Sequence, residues 1–145
     1  MAKQDKTYTL EVSQNQLQQI SLACELVARL GLGQISDIQK HLPFKKENVD
    51  WSKYHDALHE FMKEIGSELC HDGNLGIHNS DVTESTKILF DIHGVARNQL
   101  SWDRAIESGV VESRESPRDW SKMIGVHYDD PMKYGNEPLM KITIK

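Results

Sequence analysis

The chain has 145 residues, and 17 Lys or Arg against 22 Asp or Glu give it a formal net charge of −5. A chain of this length favours one domain, and the negative charge argues against non-specific binding to nucleic acid, which requires a strongly basic domain. No apolar run approaches the ~18 residues of a membrane span, and the N-terminus has no apolar signal core. Two cysteines cannot form a disulfide scaffold, so we expect a reducing, cytoplasmic setting.

The N-terminal segment predicts a strand followed by a helix. Residues 7–12 alternate, and most of their side chains are β-branched or aromatic, which is typical of a short strand. Ser13 and Gln16 have the spacing of a capping box. Apolar positions then repeat every three or four residues to about residue 30, where Gly31 and Gly33 are expected to stop the helix.

Three further helical segments follow in the central part of the chain. A brief apolar repeat over 34–41 predicts a short second helix, and Asp50 is expected to cap a third. The loop over 71–81 is rich in Gly and Asn. It leads into a fourth helix, for which Asp81 and Glu84 have the spacing of an N-cap and its third residue.

The C-terminal segment predicts mainly strands. Residues 110–114, 125–128 and 139–144 are strand candidates, and Pro117 stands where a short helix would begin. We therefore expect an α+β fold in a single domain over 1–145, with a helical core at about 13–107 and a strand-rich portion at about 108–145. Three to four helices would form the core. The N-terminal strand and a C-terminal hairpin would form a small antiparallel sheet, paired within the chain or exchanged with a neighbouring subunit.

The sequence offers no convincing catalytic or metal-binding motif. It lacks a phosphate loop, a dinucleotide fingerprint and a nucleophile elbow. His55 and His59 lie one helical turn apart, but a metal would need a third ligand, and we interpret them as surface residues. Cys70 and His71 have no Cys-x-x-Cys partner pair. We expect no catalytic residue, no metal and no cofactor.

The segment from Asn74 to Arg104 carries the strongest indication of a binding site. Backbone amides around Gly76 and Asn79 precede a helix N-terminus, where the helix dipole favours an anion. Along that helix, polar side chains step by four, four and three residues on one stripe, and guanidinium groups suit phosphates. The stripe consists of His93, Arg97, Ser101 and Arg104.

Further cations and aromatic residues could complete this site. Arg114 and Arg118 follow shortly downstream, and Phe90 and Trp102 are candidates for stacking on a base. The alternative is an ordinary solvated helix face, on which the two arginines of the stripe pair with acids such as Asp103 or Glu107.

Several segments resemble a family of small phage and prophage proteins. They include the opening Tyr8-Thr-Leu-Glu-Val, the loop Gly76-Ile-His-Asn79, and the stretch from Phe90 through Arg97 to Arg104, with Asp130-Pro-Met near the end. The resemblance extends to the Thoeris anti-defence type, which sequesters cyclic nucleotide signals. It implies a homo-oligomer in the host cytoplasm with ligand pockets between subunits, and Arg97, Asn79 and Arg104 as ligand-binding residues.

These observations leave three functional hypotheses open. The first is a phage-type anti-defence protein that binds and sequesters a small phosphorylated, cyclic nucleotide without cleaving it. The second is a protein-interaction module that inhibits a host enzyme through exposed anchors among Trp51, Trp102 and Trp120. The third is a nucleotide hydrolase whose site is assembled from dispersed residues.

Overall fold

The described part of the chain contains three α-helices in a computed structural model. Helix α1 spans Gln14–Gly31, α2 spans Trp51–Glu64 and α3 spans Glu84–Glu107. The structure describes residues 6–34, 38, 50–64, 75–122 and 124–144. The predicted short helix over 34–41 falls almost wholly outside these residues.

Local side-chain hydrogen bonds fix the ends of α1. Ser13 Oγ accepts from the Gln16 amide at 3.2 Å, and Gln16 Oε1 accepts from the Ser13 amide at 2.8 Å, which confirms the predicted capping box. The helix ends one residue later than expected. Leu32 caps it, and Gly33 then takes a φ of +80°, a left-handed conformation that favours glycine.

Helix α3 begins at a different cap from the predicted one. Thr83 is its N-cap, and Thr83 Oγ1 accepts from the Thr86 amide at 3.3 Å. Asp81 instead belongs to the preceding turn, where its own amide donates to Asn79 Oδ1 at 2.8 Å. The predicted Asp81 cap is therefore wrong, whereas the predicted Asp50 cap of α2 is confirmed, since Asp50 Oδ1 accepts from the Ser52 amide at 3.2 Å.

Helices α1 and α3 pack side by side in opposite directions. Gln14 Nε2 donates to Glu107 Oε1 at one end of the pair, and Gly31 lies against Thr86 at the other. A Cβ on Gly31 would stand 2.2 Å from Thr86 Oγ1, so the close approach of the Thr86 side chain to the backbone of α1 requires glycine there.

Residues 124–144, here called the C-terminal arm, cover α3 and complete two apolar clusters. Ile124 is buried with Trp102 and Ala105, and Met140 and Ile142 pack on Leu17, Ala96 and Leu100. The part of the arm that lies between the two sets of cluster residues in sequence is held by two carboxylates of α3. Asp91 accepts from the amides of Tyr134 and Gly135, both at 2.8 Å, and Glu84 accepts from the Asn136 amide.

The predicted α+β fold is wrong, because the described residues contain helices and irregular chain but no strand. Residues 7–12 have no regular secondary structure, and Tyr8 and Leu10 are 83% and 74% exposed. The alternation over 139–144 does not come from a sheet. Its apolar residues Met140 and Ile142 pack on the helices instead. Residues 110–114 and 125–128 also form no strand, and no helix begins at Pro117.

None of the three described helices is long and apolar enough to cross a membrane.

Candidate functional site

A groove of about 180 Å³ runs between α1 and α3. Because the two helices are antiparallel, residue numbers rise along the α1 side of the groove as they fall along the α3 side. The groove therefore receives polar side chains from both helices, with one leucine from each as an apolar wall. We call it the α1–α3 groove, and its lining consists of Gln18, Ser21, Leu22 and Glu25 from α1 with His93, Arg97, Leu100 and Arg104 from α3.

Two arginines of the predicted stripe line this groove together. Arg97 Nη2 donates to the Gly125 carbonyl at 3.4 Å, and Arg104 Nη2 donates to Ser101 Oγ at 3.0 Å. Ser101 itself is only 1% exposed, so it supports Arg104 from within the helix packing. Both guanidinium groups are exposed and keep most of their N–H donors for another partner.

The two arginines do not pair with acids in the described part of the chain. Asp103 instead accepts from Gln99 Nε2 at 2.7 Å, and Glu107 accepts from Gln14 Nε2 at 3.4 Å. The alternative in which Asp103 or Glu107 neutralises Arg97 and Arg104 therefore does not describe this helix face.

His93 is buried at one end of the groove. Its Nδ1 lies 3.1 Å from both the hydroxyl oxygen and the backbone carbonyl oxygen of Ser21. Burial lowers the pKa of His93 from its ordinary value, and Arg97 and Arg29 lower it further, against the opposing effect of Glu25 and of the hydrogen bond to Ser21. The imidazole is therefore neutral at pH 7.

Glu25 brings one negative charge to the same end of the groove. Its Oε1 accepts from Arg29 Nε at 2.9 Å and forms an ion pair with Arg29 Nη2 at 2.8 Å. Its Oε2 faces His93 Nε2 at 3.9 Å, which is longer than an N–H···O hydrogen bond. Since Arg29 balances Glu25, the two arginines of α3 leave the groove with an excess of positive charge.

The predicted loop ligands lie away from this groove. Gly76 accepts from the Asn79 amide at 2.8 Å, and the Leu75 amide donates to Leu32 at the C-terminal end of α1. The start of α3 at Glu84 is separated from Arg97 by roughly 20 Å of helical rise. The structure thus places Gly76 and Asn79 near the end of the helix pair where α3 begins, away from both arginines.

The downstream cations are also engaged elsewhere. Arg114 Nη2 donates to Gln99 Oε1 at 2.8 Å, and its guanidinium lies 5.5 Å from the centre of the Trp102 ring. Arg118 forms an ion pair with Asp129 at 2.6 Å. Trp102 is 5% exposed and has Tyr128 at its edge, so its ring does not offer a stacking surface to a ligand.

The described residues contain no cluster of three His, Cys, Asp or Glu side chains that would hold a metal ion. His55 and His59 are exposed on α2, whereas Cys70 and His71 lie outside the described residues. Burial raises the pKa of the Cys24 thiol, which is the opposite of what a nucleophilic cysteine requires.

Sequence reasoning missed the contribution of α1 to the groove. Gln18, Ser21 and Glu25 step by three and four residues, so they form a polar stripe at the edge of the apolar face of α1. That stripe was visible in the sequence. Its position opposite His93 and Arg97 was not, because it depends on how α1 and α3 pack.

Comparison with protein-family models, curated proteins and solved structures finds no match to this chain.

Proposed function

We propose that the chain is an anti-defence protein of the phage type, which binds a small phosphorylated nucleotide in the α1–α3 groove and sequesters it without cleavage. The observation that carries the proposal is the pair of exposed arginines, Arg97 and Arg104, on one groove without a carboxylate partner among the described residues. Guanidinium groups bind phosphate oxygens through paired N–H donors, and these two retain such donors. The resemblance to small phage proteins points to the same class of ligand.

The size of the groove limits how much of a nucleotide it encloses. Pockets that take a whole drug-sized ligand usually measure about 300–1,000 Å³, whereas this groove measures about 180 Å³. It therefore suits the phosphorylated end of the ligand and leaves the base outside. A second copy of the chain would cover the base, which agrees with the expected homo-oligomer.

The direct test is calorimetric titration of a panel of linear and cyclic nucleotides into the wild-type protein and Arg97→Ala. We expect the substitution to lower affinity by about 1.5–3 kcal/mol, the usual contribution of hydrogen bonds to charged groups. The melting temperature should stay nearly constant, because Arg97 is exposed and makes one long hydrogen bond to Gly125. Equal losses of affinity and stability would show that Arg97 is structural.

Arg118→Ala provides a matched control, because it removes the same charge from an ion pair outside the groove. We expect it to leave nucleotide affinity unchanged. Recovery of intact nucleotide after the complex is denatured would support sequestration, whereas a cleaved nucleotide would indicate a hydrolase.

The exposed apolar residues of the N-terminal segment favour the protein-interaction module as the second candidate. Tyr8 and Leu10 are 83% and 74% exposed, and Trp120 is 66% exposed. Trp102 is buried, and the side chain of Trp51 lies outside the described part. Retention of one host protein that is lost on Tyr8→Ala and Leu10→Ala, with no nucleotide bound, would favour this candidate.

A further inference from the structure

The end of the α1–α3 groove opposite Arg104 holds two hydrogen-bond acceptors that face each other. Glu25 Oε1 already contacts two nitrogens of Arg29, Nε and Nη2, so Oε2 is the carboxylate oxygen that faces the groove partner. The nearest described partner of Oε2 is His93 Nε2, at 3.9 Å. Both residues line the groove.

The hydrogen bonds of the other ring nitrogen determine the state of His93 Nε2. The Ser21 carbonyl oxygen can only accept, so its 3.1 Å contact with His93 Nδ1 favours the tautomer that carries the proton on Nδ1, whereas the Ser21 hydroxyl, also at 3.1 Å, fits either tautomer. In a neutral imidazole the second nitrogen then has a lone pair and no hydrogen. Glu25 Oε2 and His93 Nε2 are therefore two acceptors without a donor between them, in a partly buried position.

From this arrangement we infer that the groove selects phosphorylated ligands that carry vicinal hydroxyl groups, with Glu25 and His93 as the residues that accept from those hydroxyls. The inference rests on the proposed binding of phosphate by Arg97 and Arg104. Two adjacent hydroxyls supply the two donors that the acceptor pair lacks. A carboxylate performs the same task for the ribose of dinucleotides in other proteins.

The spacing between the acceptor pair and Arg97 suits a sugar phosphate. His93 and Arg97 are four residues apart on α3, which corresponds to roughly 6 Å of rise along one face. A ribose with its phosphate joins a diol and an anion over a short distance of this order. The ligand class is therefore a ribonucleotide or a related sugar phosphate, and a 2′-deoxyribonucleotide would leave one acceptor unsatisfied.

The experiment titrates the four ribonucleoside 5′-monophosphates and their 2′-deoxy counterparts into the wild-type protein, with inorganic phosphate as a third probe. We expect roughly tenfold weaker binding of the deoxy form, since it loses a hydrogen bond to a charged group. Glu25→Gln should abolish this ratio by weakening the ribonucleotide alone. Glu112→Gln, an exposed carboxylate outside the groove, should preserve it.

The outcomes separate this inference from the proposed function. Equal binding of ribo and deoxy forms, with both weakened by Arg97→Ala, would overturn the selection of hydroxyls and leave the phosphate site standing. Inorganic phosphate binding as tightly as the ribonucleotides would also overturn it. Failure of the monophosphates to bind, where another nucleotide of the linear and cyclic panel binds, would overturn it and leave the proposed function standing, whereas failure of the whole panel would overturn both. The comparison of ribose with deoxyribose in the wild-type protein needs no variant, so it tests the selection of vicinal hydroxyls even if Glu25→Gln does not fold.

Discussion

Gly135 lies where the arm packs tightly against α3. A Cβ there would lie 3.0 Å from Glu84 Oε1, 3.0 Å from Ile88 Cγ1 and 3.1 Å from Asp91 Oδ2. Gly135→Ala should therefore lower the free energy of unfolding by about 1–3 kcal/mol, because the carboxylates and Ile88 must move apart. Urea denaturation followed by circular dichroism measures the change.

Gly76→Ala is the control for that substitution, since no atom lies within 4 Å of a Cβ at Gly76. Its free energy of unfolding should stay within about 0.5 kcal/mol of the wild type. A Gly135→Ala protein as stable as the Gly76→Ala protein would contradict the close contact of the arm with α3.

His93 makes the stability of the protein depend on pH. Its pKa in the folded state is lowered, chiefly by burial, so in mild acid the unfolded chain binds a proton that the folded chain does not. The free energy of unfolding should therefore fall as the pH drops below the ordinary His value of 6.5 towards the lowered pKa. Urea denaturation between about pH 5 and pH 7.5 covers this window and stays above the range in which carboxylates titrate.

His93→Gln should flatten the slope of stability against pH, and His127→Gln, an exposed histidine, should retain it because His93 remains. Persistence of the full slope in His93→Gln would assign the dependence to another group.

The N-terminus of α3 provides a test at the scale of one element. Thr83→Ala removes the hydroxyl that accepts from the Thr86 amide, and the loss of such a cap typically costs about 1 kcal/mol. Asp81→Ala should cost much less, because Asp81 precedes the helix. Thermal unfolding of the two variants compares them, and a larger loss in Asp81→Ala would restore the cap that the spacing with Glu84 predicted.

Helices were predictable from the sequence because their determinants are local. The capping box of Ser13 and Gln16 and the cap at Asp50 depend on residues two or three positions away, and the structure contains both. The strand prediction over 139–144 failed because alternation shows which side chains are buried and not what they are buried against. Met140 and Ile142 are buried against helices, so they alternate without a sheet.

The candidate site was predictable in part for the same reason. The stripe with His93, Arg97 and Arg104 follows from helical periodicity, and all three residues line the groove. The grouping of Asn79 with these residues assumed that the loop folds back along the helix. The structure places it at the far end, because α1 and not the loop packs beside Arg97.

The stability of the whole molecule depends on the C-terminal arm. Met140 and Ile142 cover Leu17, Ala96 and Leu100, so removal of residues 139–145 would expose that cluster to water. Burial of large apolar side chains contributes about 1.5–3 kcal/mol each. The truncated chain should therefore lose several kcal/mol of stability and most of its cooperative urea transition, whereas a helical core that unfolds like the full chain would contradict this role for the arm.

The pairing of α1 with α3 has a consequence for how the polypeptide folds during synthesis. Helix α1 ends at Gly31, but its partner begins only at Glu84 and the arm that closes the second cluster ends near residue 144. Contacts between distant parts of a chain form slowly, and proteins leave the ribosome N-terminus first. Leu17 and Ala28 therefore emerge long before α3 and the arm can bury them, and residues 140–142, which are translated after all three helices, complete the second cluster.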